Sequence, residues 1–139
     1  MKQRKYKFRI WNEEMRKTKH LTDIHDSFYF DKNGNARYFN LQAGYGGILM
    51  QYTGMRDHKG IEIYEGDIVS MEAMTPGAPS IVGEVQFEES CYWVVNEKQE
   101  KAVRLFQEGV YIEKIGNIYE NSAFYNQRLK KGENDETKA

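Results

Sequence analysis

The sequence predicts a mostly β fold made of short antiparallel strands. Three observations carry this. Aromatic residues make up 14% of the 139 residues, with ten Tyr and seven Phe, and such side chains favour pleated, half-buried surfaces. Apolar and polar residues alternate with period two in several stretches, beginning at Tyr6, Phe8 and Ile10. Between Asp67 and Ile118 a turn signal bounds each apolar run, a rhythm of four or five short strands that suits a small antiparallel barrel.

Taken in order, Tyr6 to Asn12 reads as a strand with Tyr6, Phe8 and Ile10 on a buried face. Lys5, Lys7, Arg9 and Trp11 fall on the other face, and the three charges suit the wet side of an edge strand, where they discourage aggregation. Asn12 to His20 has no apolar stripe and reads as a turn with a weak strand or short helix. Ser27 to Asn40 reads as a hairpin about Asn33-Gly34, a pair suited to a two-residue type I′ turn. That register pairs Lys32 with Asn35, Tyr29 with Tyr38 and Phe28 with Phe39, and sets Phe28, Phe30 and Phe39 on one face. Gln42 to Gly47 reads as a loop and Ile48 to Thr53 as the next strand.

Asp57 and Gly60 frame a turn. Ile61, Ile63 and Tyr64 are candidate core anchors, and Glu65-Gly66-Asp67 is a tight turn into another strand. Pro76 and Pro79 make Met74 to Ser80 an exposed loop. Strands follow at Ile81–Phe87 with a bulge at Gly83, at Cys91–Val95, at Ala102–Phe106 and at Val110–Ile118. Asn126 to Ala139 lacks apolar content and predicts a frayed tail.

Composition excludes several classes. The net charge is −1, whereas an electrostatic nucleic-acid binder needs excess Lys and Arg. The single cysteine, Cys91, excludes an intrachain disulfide and a thiol-based zinc site, and suits a reducing compartment. No apolar run reaches the length of a signal or a membrane span, so a cytoplasmic protein is expected. The charge is unevenly spread. Residues 1–20 carry eight Lys or Arg against two Glu, a net of +6, and residues 57–100 carry two Lys against ten acidic side chains, a net of −8. Such a split draws the N-terminal strand to the acidic middle, within one chain or between chains.

Candidate chemistry is sparse. His20, Asp23, His25 and Asp26 are metal-type donors, but their spacing matches no metal motif, and a hydrated loop explains them. Glu62, Glu65 and Asp67, with Asp57 and His58, offer paired carboxylates for acid–base work; the plainer reading is turn chemistry. Cys91 has no histidine placed to activate it and reads as a buried thiol. Gly44, Gly46 and Gly47 lack the Lys and Ser/Thr of a phosphate loop. Lys2, Arg4, Lys5, Lys7 and Arg9, with Tyr6, Phe8 or Trp11 to stack on bases, could follow a single strand of nucleic acid. No residue is assigned as catalytic, cofactor-binding or metal-ligating.

Three blocks carry a resemblance: Lys7-Phe8-Arg9-Ile10-Trp11, the stretch from Leu49-Met50-Gln51-Tyr52-Thr53-Gly54 through Ile61-Glu62-Ile63-Tyr64-Glu65-Gly66-Asp67-Ile68-Val69, and Ile115-Gly116-Asn117-Ile118-Tyr119-Glu120-Asn121. In this order they resemble the YopX family of phage and prophage proteins, over roughly residues 5 to 121. The resemblance implies an α+β, mostly β protein with an N-terminal α+β part and an SH3-like barrel. It also implies a bacterial host's cytoplasm, and no agreed catalytic residues. The expected division is an N-terminal subdomain at 1–60, a barrel at 61–121 and a polar tail at 122–139. The expected function is a non-catalytic interaction or assembly module that self-associates as a homo-oligomer, with an unknown phage or host protein as further partner, no cofactor and no membrane. The alternative is a nucleic-acid-binding accessory protein of phage replication or regulation.

Overall fold

The computed structural model describes residues 6–22, 26–42 and 44–132. Six strands form one antiparallel sheet: β1 (Phe8–Asn12), β2 (Lys17–His20), β3 (Asp26–Phe30), β4 (Ala36–Asn40), β5 (Tyr45–Arg56) and β6 (Glu62–Tyr64). Their order is β2-β1-β5-β4-β3, with β6 on the far half of the long β5. Five more, β7 (Asp67–Ala73), β8 (Ile81–Glu88), β9 (Cys91–Asn96), β10 (Lys101–Arg104) and β11 (Val110–Asn117), form a second antiparallel sheet in the order β10-β9-β8-β7-β11. A single helical turn, α1 (Ser122–Phe124), runs on into a wider π-type turn at Tyr125–Leu129. The mostly β expectation holds.

Alternation in the second sheet builds the main core. Val69 and Met71 of β7, Ile81 and Val85 of β8, Tyr92 and Val94 of β9, and Val110 and Ile112 of β11 point to one side, where Ile63 and Leu105 join them. The sheet does not close into the expected barrel: no ladder joins β10 to β11 among the described residues. The outer edge of β11 is instead occupied by the turn after β5. His58 N–H donates to Ile112 C=O at 3.0 Å, Ile112 N–H donates to His58 Nδ1 at 2.9 Å, and Lys114 N–H donates to Asp57 Oδ2 at 2.9 Å. Those groups satisfy the edge that a closing strand would have used.

The hairpin register differs from expectation by one residue. Phe28 lies opposite Tyr38, Tyr29 opposite Arg37 and Phe30 opposite Ala36. Asp31 decides this. Its carboxylate accepts the N–H groups of Asn33 and Asn35, each at 2.9 Å, its own N–H donates to Asn35 C=O, and Gly34 N–H donates back to its C=O. The result is a three-residue loop in which Gly34, at φ +83°, supplies the left-handed residue. Phe28 and Phe30 therefore share a face with Tyr38, and Tyr29 shares the other with Phe39.

Other expectations also give way. β1 is not an edge: it lies between β2 and β5 and is buried on both faces. β5 begins at Tyr45, so Gly46 and Gly47 are strand residues; a Cβ on Gly47 would stand 2.7 Å from Trp11 C=O, so glycine lets β1 and β5 pack. Gly83 makes no bulge. The ladder with β7 runs through it unbroken, and a Cβ there would meet Val95 C=O at 2.6 Å. Register shifts lie instead in β11, between Lys114 and Gly116, and in β5, between Tyr52 and Arg56. Ile61 is exposed and is no anchor, whereas Ile63 and Tyr64 are buried. The expected tail begins as the helical turn and docks: Leu129 is buried and its C=O accepts Lys98 N–H at 3.1 Å. Residues 133–139 lie outside the described residues.

The Asp57–Gly60 turn forms as expected. Asp57 Oδ1 accepts the N–H groups of Lys59 and Ile61, and its Oδ2 holds β11. Burial raises its pKa, but the N–H donors of Lys114, Ile61 and Lys59 prevail and hold the carboxyl below its ordinary 3.8. A pKa depressed by folding means a contribution that is complete above the unfolded value and is lost as pH falls through the folded one. Asp57→Ala is therefore expected to lower unfolding free energy at neutral pH by about 2–4 kcal/mol, through three stranded N–H donors. The deficit should shrink in acid, as pH falls below the ordinary carboxyl range. Urea titrations at both pH values check this; an equal loss at both would contradict it.

Candidate functional site

The two sheets are joined where the chain crosses from β6 to β7, at Glu65-Gly66-Asp67. Glu65 N–H donates to Gln51 C=O and Glu65 Oε1 accepts Gln51 N–H, both at 2.9 Å, which fastens the crossing to β5. Gly66, at φ +83°, turns its N–H to Val85 C=O of β8 and its C=O to Ile118 N–H, again both at 2.9 Å. Any side chain there would be strained, and its Cβ would stand 3.2 Å from Met50 Sδ.

Asp67 is fully buried. Its Oδ1 takes Arg9 Nη2 at 2.6 Å and lies 3.4 Å from Lys114 Nζ, while Oδ2 accepts Tyr64 N–H at 2.7 Å. Arg9 is only 3% exposed, and its guanidinium lies over the Tyr64 ring, 4.9 Å from the centroid. Burial pushes the Asp67 carboxyl up, against the pull of Arg9, Lys114 and the Tyr64 N–H. Beside this pair Lys7 Nζ meets Glu62 Oε2 at 2.5 Å, with Arg56 Nη2 at 3.3 Å. The Lys7 hydrogen bond is the main cause that holds Glu62 below its ordinary range. The basic first strand and the acidic middle thus meet within one chain.

The other residues singled out in the sequence are dispersed. Asp57 and His58 bind β11, Glu62 binds Lys7, Glu65 binds Gln51 and Asp67 binds Arg9, so the five do not converge on one point. His20 Nδ1 lies 3.3 Å from Tyr64 Oη. Asp26 accepts Tyr38 Oη–H and, at 3.0 Å, Asn40 Nδ2–H, with Lys19 Nζ at 3.6 Å. Asp23 and His25 lie outside the described residues, and no group of metal-type donors is found among the described ones. Cys91 is half-buried rather than buried. The hollow beside Gly44, Gly46 and Gly47 also holds Glu13 and Glu14, opposite in charge to a phosphate's need. Of the basic N-terminal set, Lys2, Arg4 and Lys5 lie outside the described residues, Arg9 is buried, and Trp11 is buried against Tyr119 with ring centroids 5.6 Å apart. Neither Arg9 nor Trp11 can reach a nucleic acid.

Two features escaped the sequence reading. The first is a cleft of about 320 Å³ between the sheets, walled by Ile48–Met50 of β5 and Glu84–Glu88 of β8 and floored by Glu65 and Gly66. Burial raises both Glu65 and Glu84, and Glu84 in turn takes hydrogen bonds from Gln86 and Tyr125. Chemically, the cleft offers two carboxyls that hold protons above the usual range. Periodicity could not find it, because its walls come from different sheets. The second is the outer face and edge of the hairpin, where Phe28 is 50%, Tyr29 58% and Phe30 71% exposed. Here a signal was present: three consecutive aromatics cannot all face one core.

Arg9→Met keeps most of the side-chain volume but strands the Asp67 carboxylate. It is expected to cost about 3–5 kcal/mol of unfolding free energy. Combining it with Asp67→Leu should recover much of that loss. Denaturant midpoints of the single and double variants check this; additive losses would contradict it.

No helix among the described residues is long and apolar enough to cross a membrane. A family model described as YopX protein matches residues 4–125. The fold is similar to the crystal structure of protein yopX from Bacillus subtilis, with a TM-score of 0.57 at 22% identity, over 90% of this chain and 98% of that one. A second solved structure, protein EF1440 from Enterococcus faecalis, has a TM-score of 0.47 at 20% identity, over 84% of this chain and 95% of that one. Among curated proteins no relative matches. With the matched family spanning all three motif blocks and both sheets, the chain belongs to the YopX protein family.

Proposed function

We propose that this protein is a non-catalytic interaction and assembly module that associates with itself, encoded by a phage or prophage and working in the bacterial cytoplasm with a phage or host partner. The observation that carries this reading is the aromatic hairpin. Phe28, Tyr29 and Phe30 stand half or more exposed, with Phe39 and Leu41 nearby on the same hairpin and its exit. Exposed aromatic side chains on both faces of one strand add little to folding and are characteristic of surfaces that another protein covers. In this reading residues 1–60 are the N-terminal subdomain and residues 61–121 the SH3-like one; β6 (Glu62–Tyr64) extends the first subdomain's sheet while its Ile63 joins the core of the second.

The source of attraction also changes. Lys7 and Arg9 already pair within the chain, so association rests on apolar contact more than on the charge split. Light scattering at low and high salt is therefore expected to give a mass above the monomer under both conditions, rising with protein concentration. A monomer under both contradicts the proposal.

A further inference from the structure

A sheet edge carries unpaired main-chain groups and is normally blunted. Among the described residues four strands end the two sheet orders, and three of them are blunted. β2 presents Lys17 and Lys19. β10 presents Lys101 and Arg104. The edge of β11 is taken by Asp57 and His58. β3, with the sequence Asp26-Ser27-Phe28-Tyr29-Phe30, ends its sheet with no ladder partner on its outer side among the described residues. It is the edge with the least charge and the most exposed aromatic surface.

The direction of its main-chain groups follows from the loop. Asp31 N–H donates to Asn35 C=O, so Asp31, Tyr29 and Ser27 turn their N–H and C=O groups towards β4. By antiparallel alternation, Phe28 and Phe30 turn theirs outwards. We propose that β3 pairs with β3 of a second copy of this chain, antiparallel about a two-fold axis through Tyr29, to make one continuous sheet. This rests on the self-association reading above and names its surface.

The register follows from the side chains. Centring the axis on Tyr29 sets each outward-bonding Phe28 opposite Phe30 of the second copy, so four Phe rings gather on one face. It sets Tyr29 against Tyr29 on the other face, and it brings exposed Lys32 of each copy to the Asp26 end of its mate. A two-fold pairing repeats each favourable contact and closes without propagating into a fibre. Centring on Phe28 would instead place Phe30 against Asp26, and centring on Phe30 would place Tyr29 against Asp31.

The geometry allows a register-specific test. Phe30→Pro removes an N–H that points outwards only, so the bonds between β3 and β4 survive. It should weaken dimerisation at least tenfold by analytical ultracentrifugation, with the unfolding midpoint held. In a Cys91→Ser background, Tyr29→Cys puts two Cα atoms about 4.5 Å apart across the axis, within disulfide reach, and should give a covalent dimer under mild oxidation. Ser27→Cys, whose two copies would lie about 13 Å apart along the strands, should not. A dimer that survives Phe30→Pro, or that crosslinks through Ser27→Cys and not Tyr29→Cys, overturns this pairing and leaves self-association standing. A monomeric parent protein overturns both.

Discussion

The fold depends on one buried ion pair. Arg9 and Asp67 are 58 residues apart in sequence, sit in different sheets, and meet with almost no solvent. Removing two charges from water is expensive, and their attraction offsets that cost only when the remaining donors and acceptors are satisfied. Here they largely are: Asp67 also takes the Tyr64 N–H and faces Lys114, and Arg9 lies on the Tyr64 ring. Arg9 Nε alone is left without a partner, a desolvation cost that the guanidinium's other contacts must offset. Because either charge alone would be stranded, β1 cannot shift relative to β7 without breaking the pair. The neighbouring Glu65 and Gly66 then fasten the crossing to β5, β8 and Ile118.

The same logic of main-chain satisfaction explains the late motif block. Asn117 Oδ1 accepts the N–H groups of Tyr119 and Glu120, and Asn121 Oδ1 accepts Asn117 N–H. Gly116 leaves room for this bond, since a Cβ would stand 2.3 Å from the Asn121 oxygen and displace it. The block is a hydrogen-bonded knot that carries Ile118 to Gly66 and Tyr119 to Trp11. The middle and late motif blocks thus meet at the junction of the two sheets. The aromatic hairpin is at the opposite end of the six-stranded sheet's order, where packing imposes nothing on Phe30 and contact with another chain can.

Much of this was legible in the residues. Strand and turn rhythm located both sheets, and the stretch from Gln51 to Val69 read as turns and anchors, as Glu65 and Asp67 prove to be. What failed did so for identifiable reasons. A charged residue alternating with apolar ones reads as wet, and nothing local to Arg9 reveals a carboxylate 58 positions on. Asn33-Gly34 is a strong turn signal, yet an Asp two residues before it captured the loop and moved the register. The two-residue turn with positive φ at both positions falls at Glu89 and Ser90, which carry no such signal. Leu129 was read within a polar tail because a single buried side chain leaves no periodicity. The cleft was invisible because Glu65 and Glu84 come to line one hollow only through the packing of separate sheets.

The crossing makes the two sheets one cooperative unit. Native-state hydrogen exchange at increasing denaturant tests it most directly, by comparing the slowest amides of β1 with those of β8. The two sets should merge to a common opening free energy and a common denaturant slope. If the β1 amides open at a lower free energy, with a smaller slope, while those of β8 stay closed, the sheets are independent and the buried pair does not hold them together.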